Sequence, residues 1–391
     1  MNLTKTYAST PSIKNLINPT NVKAINPGNK RYKKIKQSVI IPTNLINPPY
    51  IKDKLGKKNV SILFLLIIIK FMNLSNTKKE LIKVFKDGIS TTYTLLKIMI
   101  PVSIITKILE ITGVINIIGS LLSPLMEIVN LPGEYGLVWA TTMITNIYGG
   151  IIVFLSLFKN HPLSVAQVTI LSSMMLIAHT FLIENTICKK AGIKFWVISF
   201  FRFTSAFILG FLLNNVYTLF SLHEKKAKVL FDSNSKTGET TIAWILNEIE
   251  NYLYIFLVIL SLLLIIYIFK KTGFINIFNK IFNPVLNLFG ISKKATPLTV
   301  IGMTLGLAYG GGLIIKEANS GHLSKKDIFF SLIFLTLSHS LIEDTLLMLT
   351  IGASITGVLI GRLLFTLILV SIIVKIFQGV SEKSFHKYFL T

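Results

Sequence analysis

The amino-acid sequence predicts an all-α polytopic membrane protein, an internally duplicated helical bundle with about 8–10 transmembrane helices. Three observations lead to this fold class. The 391 residues are 52% hydrophobic and only 15% charged, whereas soluble domains carry about 25% charged residues. The apolar residues gather in long runs. Two stretches of the chain also repeat one another. A soluble enzyme, a secreted protein and a coiled coil are therefore excluded.

The apolar runs are long enough to cross a bilayer as helices. A stretch of about 18 or more apolar residues is typical of a membrane-spanning helix. The chain contains seven runs with few charges, at residues 136–158, 164–187, 195–217, 252–269, 298–315, 327–349 and 353–377.

The charge of the chain is concentrated before the first of these runs. Residues 1–58 hold twelve basic residues against one acid, which is +11 of a total of +23. A nucleic-acid-binding tail is one explanation. We favour a basic, largely disordered cytoplasmic segment, because positive charge gathers on the cytoplasmic side and no aromatic or arginine-rich pattern accompanies the lysines. The sole cysteine, Cys188, excludes an intramolecular disulfide and a cysteine-based metal cluster.

An internal repeat organises the rest of the chain. The stretch TGVINIIGSLLSPLMEIVNL at 112–131 matches TGFINIFNKIFNPVLNLFGI at 272–291, an offset of 160 residues. Further on, NIYGGIIVF at 146–154 matches LAYGGGLII, and AHTFLIENT at 178–186 matches SHSLIEDTL. Because several motifs keep nearly one offset, we interpret the chain as a duplication.

Each copy is expected to contain a first span, an amphipathic piece broken by Pro124 or Pro284, a glycine-interrupted span, a span with His and acid, and a last span with Arg. Whether the amphipathic piece crosses the membrane or is re-entrant stays open, and with it the parallel or inverted relation of the copies. The predicted segments are a basic segment 1–58, a short apolar run and linker 59–79, repeat one 80–217, a polar linker 218–240, repeat two 241–377 and a C-terminal tail 378–391.

Ionisable residues recur inside the predicted spans of both copies. Each costs at least about 2.5–3.5 kcal/mol at the centre of a membrane helix, so such residues usually have partners or a function. Equal distances from the helix turns place Glu184 beside Arg202, and Glu343 beside Arg362, which predicts two structural ion pairs. The histidines and acids are the candidate binding residues: His179, Glu184, His339, Glu343 and Asp344.

The spacing of these residues differs between the copies. His339 and Glu343 are four residues apart and are predicted to share a helix face, whereas His179 and Glu184 are five apart and do not. A helix clamp without a binding role explains the ion pairs equally well. The identity of any metal ion at these residues is unknown from the sequence.

Consecutive glycines interrupt one apolar span in each copy. Glycines weaken a helix, and an unwound backbone at membrane depth is tolerated where it lines a cavity. Close helix packing through small residues is the alternative. The residues that would offer backbone groups to a solute are Tyr148, Gly149, Gly150, Tyr309, Gly310 and Gly311.

These motifs resemble the nucleoside recognition, or Gate, domain family of prokaryotic membrane proteins. The matching parts are YGGGLIIKEANSGHLSKKDIFFSLIFLTLSHSLIEDT at 309–345 and its diverged partner, YGGIIVF with AHTFLIENT. The resemblance covers roughly residues 90–377 in two copies. It implies a helical membrane protein with a gate-like core, of the kind found in nucleoside transporters, in the membrane part of ferrous-iron transport protein B and in spore maturation proteins.

We therefore expect a transporter or permease for a small polar solute or ion in the cell membrane. The alternative is a non-transporting membrane scaffold similar to the spore maturation proteins. No metalloprotease, nucleophile-elbow, P-loop or dinucleotide motif occurs, so we expect no enzyme and no cofactor. The expected partners are the lipid bilayer, the solute and, for a homo-oligomer, a second copy, with no nucleic acid.

Overall fold

The computed structural model describes residues 74–230 and 241–391. The predicted segment 1–58, the apolar run before residue 74 and the linker residues 231–240 lie outside the described part of the chain. Its helices, in chain order, are α1 Leu74–Ile111, α2 Val114–Glu127, α3 Tyr135–Ile144, α4 Ile147–Asn160, α5 Val165–Ile177, α6 Phe181–Lys190, α7 Phe195–Leu219, α8 Thr241–Lys271, α9 Phe274–Leu288, α10 Thr296–Ala318, α11 Lys325–Ser338, α12 Glu343–Thr350, a π-helix Thr356–Gly361, α13 Arg362–Gln378 and α14 Glu382–Phe389.

The predicted fold class, an all-α membrane protein, is confirmed. The described ranges contain no strand. By length and composition, five helical stretches within them could cross a membrane, or six if one bent pair counts as a span. The five are Val165–Lys190, Phe195–Leu219, Thr241–Lys271, Lys325–Thr350 and Thr356–Gln378.

The amphipathic pieces are continuous helices that leave the direction of the preceding span. The chain turns at Gly113, and α2 is bent by 93° from α1. Gly273 makes the same left-handed turn before α9. Pro124 lies inside α2 and Pro284 inside α9, so the expected proline breaks are wrong. Proline removes one backbone hydrogen bond, and here the helix continues past it.

Two apolar helical stretches in each half of the chain are broken in the middle. The chain is extended at Asn146 between α3 and α4, and a kink at Gly306 divides α10. The second breaks follow α5 and α11, where Thr180 and Ser340 adopt left-handed backbone conformations. Asn146 and Gly306 are 160 residues apart, and so are Thr180 and Ser340.

The core of the bundle is formed by α5 and α11. Every residue of 328–338 is buried, and α5 is buried from Val168 to Ile177. Helix α7 packs beside α5, and α13 packs beside α11. Both expose apolar side chains such as Phe200, Ile208 and Ile368 on their outer faces. An apolar outside around a packed centre suits a helix bundle in lipid.

Candidate functional site

The broken helices of each half are tied together at their breaks. The N–H of Thr180 donates to the carbonyl of Thr142, with 3.0 Å between N and O. In a continuous helix that carbonyl would accept from Asn146, which is extended here. In the second half, Leu341 donates to the carbonyl of Met303 at 3.2 Å. A carbonyl that loses its helical partner at one break therefore accepts a hydrogen bond from an N–H at the other break. Buried backbone in a membrane requires such partners.

The local sequence explains where the first pair of breaks lies. The side chain of Asn146 accepts from the N–H of Gly149 at 2.9 Å, so Asn146 is the N-cap of α4. Gly306 has φ 76° and ψ 165°, a backbone region open essentially to glycine alone. A Cβ on Gly306 would also overlap the hydroxyl of Ser340. The crossing of α10 with the α11–α12 break therefore requires glycine at this position.

The two breaks after α5 and α11 bring two histidines together. Nε2 of His179 lies 3.1 Å from Nε2 of His339, and both side chains are buried. The Nδ1 atom of His179 lies 3.1 Å from the carbonyl of Leu176, and that of His339 lies 2.7 Å from the carbonyl of Leu335. Each ring is thus fixed by the last turn of the helix that precedes it.

Glu184 joins this histidine pair from the first turn of α6. Its Oε1 lies 3.3 Å from Nε2 of His179 and 3.2 Å from Nε2 of His339. Its Oε2 forms an ion pair with Arg202 at 2.8 Å, so the structure contains the predicted pair of Glu184 and Arg202. We call His179, His339 and Glu184 the central cluster.

Arg202 also holds the break between α5 and α6. Its Nε donates to the carbonyl of Ile177 at 2.8 Å, and Nη2 donates to that of His179 at 2.6 Å. Nη1 donates to Asn185 Oδ1 at 3.0 Å. The guanidinium group therefore caps the last carbonyl of α5 and a carbonyl of the break that follows.

In the second half, Arg362 has fewer hydrogen-bond partners than Arg202. Its Nη2 donates to the carbonyl of His339 at 3.0 Å, as Arg202 does to His179. Nε and Nη1 are buried without a hydrogen-bond partner. Within the described ranges no carboxylate lies within 4.0 Å of Arg362, so the predicted ion pair with Glu343 is absent. The acid 160 residues after Glu184 is Asp344, which is buried.

The predicted shared face of His339 and Glu343 is also wrong. His339 follows the end of α11 in an extended conformation, and α12 begins only at Glu343. The four-residue spacing relates side chains on one face only within a continuous helix. Because of the break, the direction of each side chain of α12 is independent of α11. Asp344 is buried and Glu343 is half-buried.

A cleft of about 150 Å³ adjoins the central cluster. It lies where α4, α6, α10 and α12 meet, so four half-helix ends face it. Glu184 lies in the first turn of α6, and Glu343 and Asp344 in that of α12, where the helix dipole favours negative charge. The lining includes Tyr148, Thr180, Gly306, Ser340, Glu343 and Asp344.

The glycine motifs lie beside the breaks and are themselves helical. Gly149 and Gly150 belong to the first turn of α4, and a Cβ on either would overlap the threonines at the end of α3. Gly311 packs against Ile187 of α6. Close packing therefore explains these glycines, and the expectation that they unwind the helix is wrong. Tyr309 and Gly310 lie within α10, but their surroundings lie outside the described part.

Three residues of the site were not singled out from the sequence. Asn146 caps a half-helix, Gly306 forms the kink, and Asn185 links Arg202 to the hydroxyl of Ser199 at 2.8 Å. The spacing of 160 residues between Asn146 and Gly306 was a signal available in the sequence, because each precedes a Tyr-Gly-Gly motif.

The comparisons with known proteins agree with a membrane protein. The chain is 28% identical over 292 residues to "Uncharacterized membrane protein YvoD" of Bacillus subtilis (strain 168), a match that covers 73% of this chain and 91% of the relative. No protein-family model matches the chain. No solved structure matches it either. The relative's name and the apolar helices together support a multi-pass membrane protein.

Proposed function

We propose that the chain is a secondary transporter or permease for a small polar solute or ion, related to the nucleoside recognition (Gate) proteins. One observation carries the proposal. Two crossed pairs of broken apolar helices bring the buried side chains of His179, Glu184 and His339 to one cleft. Discontinuous helices that meet at a polar centre are typical of secondary transporters, because their ends offer backbone groups and dipoles to a solute.

An internal duplication is part of this proposal, with repeats at 80–217 and 241–377. It is supported by features that recur at an offset of 160 residues. Thr180 and Ser340 are both left-handed, with φ near 49° and 47°. Arg202 and Arg362 both donate to the carbonyl of the histidine in their own half. Paired repeats around a shared site are a common construction of transporters.

The size of the cleft limits the solute in this conformation. Pockets for drug-sized molecules have volumes of about 300–1,000 Å³. The 150 Å³ cleft holds an ion or a small polar molecule. Glu184, Glu343 and Asp344 would attract a cation, whereas the half-helix N-termini and Arg362 would attract an anionic group. A nucleoside would require the cleft to open further.

The cellular setting belongs to the same proposal. The protein would lie in the cell membrane with its basic N-terminus on the cytoplasmic side, as the positive-inside rule favours. It would act without enzymatic chemistry, with lipid as its surroundings, and it would not bind nucleic acid. A homo-oligomer is compatible with this arrangement.

A non-transporting membrane scaffold is the second candidate, and one observation favours it. Each of the three guanidinium nitrogens of Arg202 has a partner among Glu184, Asn185 and two backbone carbonyls. Such an arrangement is what a structural clamp needs. A scaffold would tolerate neutralisation of the acids that face the cleft, provided that Arg202 keeps its partners.

Uptake into proteoliposomes tests transport. Wild-type protein would be screened with labelled uridine, inorganic phosphate and divalent cations as separate probes. We expect uptake of one class, with loss in Asp344→Asn and a decrease in Glu343→Gln. The matched control is Glu317→Gln, a half-buried acid at the end of α10 that lies outside the cleft. No uptake of any class by correctly inserted protein, or uptake that is unchanged in Asp344→Asn, would contradict the proposal.

A further inference from the structure

Three atoms of the central cluster form a small triangle. The distances are 3.1 Å between the two histidine Nε2 atoms, 3.3 Å from His179 Nε2 to Glu184 Oε1, and 3.2 Å from His339 Nε2 to the same oxygen. All three side chains are buried. Water therefore does not solvate these atoms freely. The three atoms need a shared proton or a bound cation to offset the repulsion between their lone pairs.

The hydrogen-bond network assigns the histidine tautomers. Nδ1 of His179 faces the carbonyls of Met175 and Leu176, and Nδ1 of His339 faces that of Leu335. A carbonyl oxygen only accepts, so each Nδ1 must carry a hydrogen. A neutral imidazole then presents a lone pair at Nε2. The triangle consequently brings together two nitrogen lone pairs and a carboxylate oxygen, which repel one another unless a positive charge lies between them.

We propose that His179, His339 and Glu184, with Asp344 as the fourth ligand, form a binding site for a divalent first-row transition-metal ion. Zn²⁺ binds imidazole nitrogen and carboxylate oxygen at about 2.0–2.2 Å. Around a tetrahedral ion with such bonds, neighbouring ligand atoms are about 3.3–3.5 Å apart. The three observed separations, 3.1–3.3 Å, are close to this value. A single proton on Nε2 of His179 would leave the lone pairs of His339 Nε2 and Glu184 Oε1 facing each other at 3.2 Å.

The surroundings of the triangle are those of a metal site. Histidine ligands of metals usually donate their other N–H to a backbone carbonyl or carboxylate, which fixes the ring and the tautomer. Both histidines here do so. The free oxygen of Glu184 is held by Arg202 at 2.8 Å, which aims Oε1 at the histidines. The ligand atoms are therefore oriented before any ion arrives.

Asp344 supplies the remaining position. One of its carboxylate oxygens lies within 4.8 Å of a ring nitrogen of each histidine. Asp344 Oδ2 is buried and has no hydrogen-bond partner, which is costly unless a ligand satisfies it. A change of side-chain torsion would carry the oxygen toward the ion. Two imidazoles and two carboxylates are a ligand set that suits Zn²⁺ and its neighbours in the first transition row.

The charge balance permits a divalent ion. Counted as ionised, the carboxylates of Glu184, Glu343 and Asp344 and the guanidinium groups of Arg202 and Arg362 sum to −1 around the cleft. A divalent cation changes this sum to +1, so the magnitude of the buried net charge does not rise. Binding at this site does not depend on whether the protein transports a solute.

Zinc binding by the full-length protein in detergent tests the proposal. After treatment with a chelator, we expect wild-type protein to bind about one Zn²⁺ per chain, as counted by elemental analysis. His339→Ala and Glu184→Gln should weaken binding by at least ~10-fold, because even the loss of an outer-shell group costs ~10–100-fold. The matched controls are His322→Ala and Glu317→Gln, a His–Glu pair away from the cluster with 3.9 Å between His322 Nδ1 and Glu317 Oε1, and these should bind as the wild type does.

A measurement on the wild type keeps the test valid if a variant fails to fold. X-ray absorption of the zinc-loaded protein should show imidazole scattering and nitrogen or oxygen ligands at about 2.0–2.1 Å. Absence of zinc binding, bound zinc without imidazole, or binding that falls equally in His322→Ala would overturn the proposal. Binding without any uptake into proteoliposomes would support the metal site and count only against transport.

Discussion

Gly306 and Ser340 lie so close together that a Cβ on Gly306 would overlap the Ser340 hydroxyl. This contact joins the kink of α10 to the break between α11 and α12. Gly306 also has a positive φ of 76°. Both features act on one residue, so the position of the break depends on glycine here more than at Gly311 or Gly312.

Gly306→Ala should destabilise the protein. We expect a loss of about 1–3 kcal/mol from backbone strain, with a further loss from the overlap with Ser340. Thermal unfolding in detergent measures the effect. Gly312→Ala is the matched control, because a Cβ there meets nothing within 4 Å and alanine favours a helix. Equal stability of the two variants would contradict the role of Gly306.

Arg202→Gln should be more harmful than Arg362→Gln. Arg202 neutralises Glu184 and caps two carbonyls, and removal of one partner from a buried ion pair costs about 3–5 kcal/mol. Arg362 has one hydrogen bond, to His339, and two nitrogen atoms without a partner. Denaturant unfolding of both variants in mixed micelles compares them. The double variant Glu184→Gln with Arg202→Gln should regain part of the loss. A larger effect at Arg362 would refute this ranking.

Asn146→Ala should weaken the start of α4. The side chain of Asn146 satisfies the N–H of Gly149, and loss of such a cap costs about 0.5–2 kcal/mol. Asn146→Ser keeps an acceptor and should retain most of the stability. Hydrogen exchange of the first turn of α4 reports the effect locally. Unchanged exchange in Asn146→Ala would show that the cap does not hold this break.

The depth argument from the sequence predicted one of the two ion pairs, Glu184 with Arg202, and failed for Glu343 with Arg362. Helix turns and rise per residue placed Glu184 level with Arg202, and the two residues form an ion pair. The repeated motifs also singled out His179 and His339, although nothing in the sequence indicated that their rings would meet. That contact depends on how the two halves pack against each other, which local patterns do not encode.

The sequence failed where a broken helix changes the rules of spacing. Glu343 and Asp344 are neighbours, and which of them faces the cluster depends on the phase of α12 after the break at Ser340. Glycine pairs predicted unwinding, yet Gly150 lies in a helix. Glycine is needed there because α3 and α4 pack too closely for a side chain. Spacing and propensity describe continuous elements, and these residues lie next to discontinuities.

Access to the cleft from the two sides of the membrane tests transport most directly. Tyr148→Cys, which lines the cleft, would be made in a Cys188→Ala background and treated with a membrane-impermeant thiol reagent in right-side-out and inside-out vesicles. Ser331→Cys, in the buried core of α11, is the unreactive control. A transporter that alternates between two open states should be labelled at Tyr148→Cys from both sides. Labelling from one side only, or from neither side while the denatured protein reacts fully, would contradict alternating access.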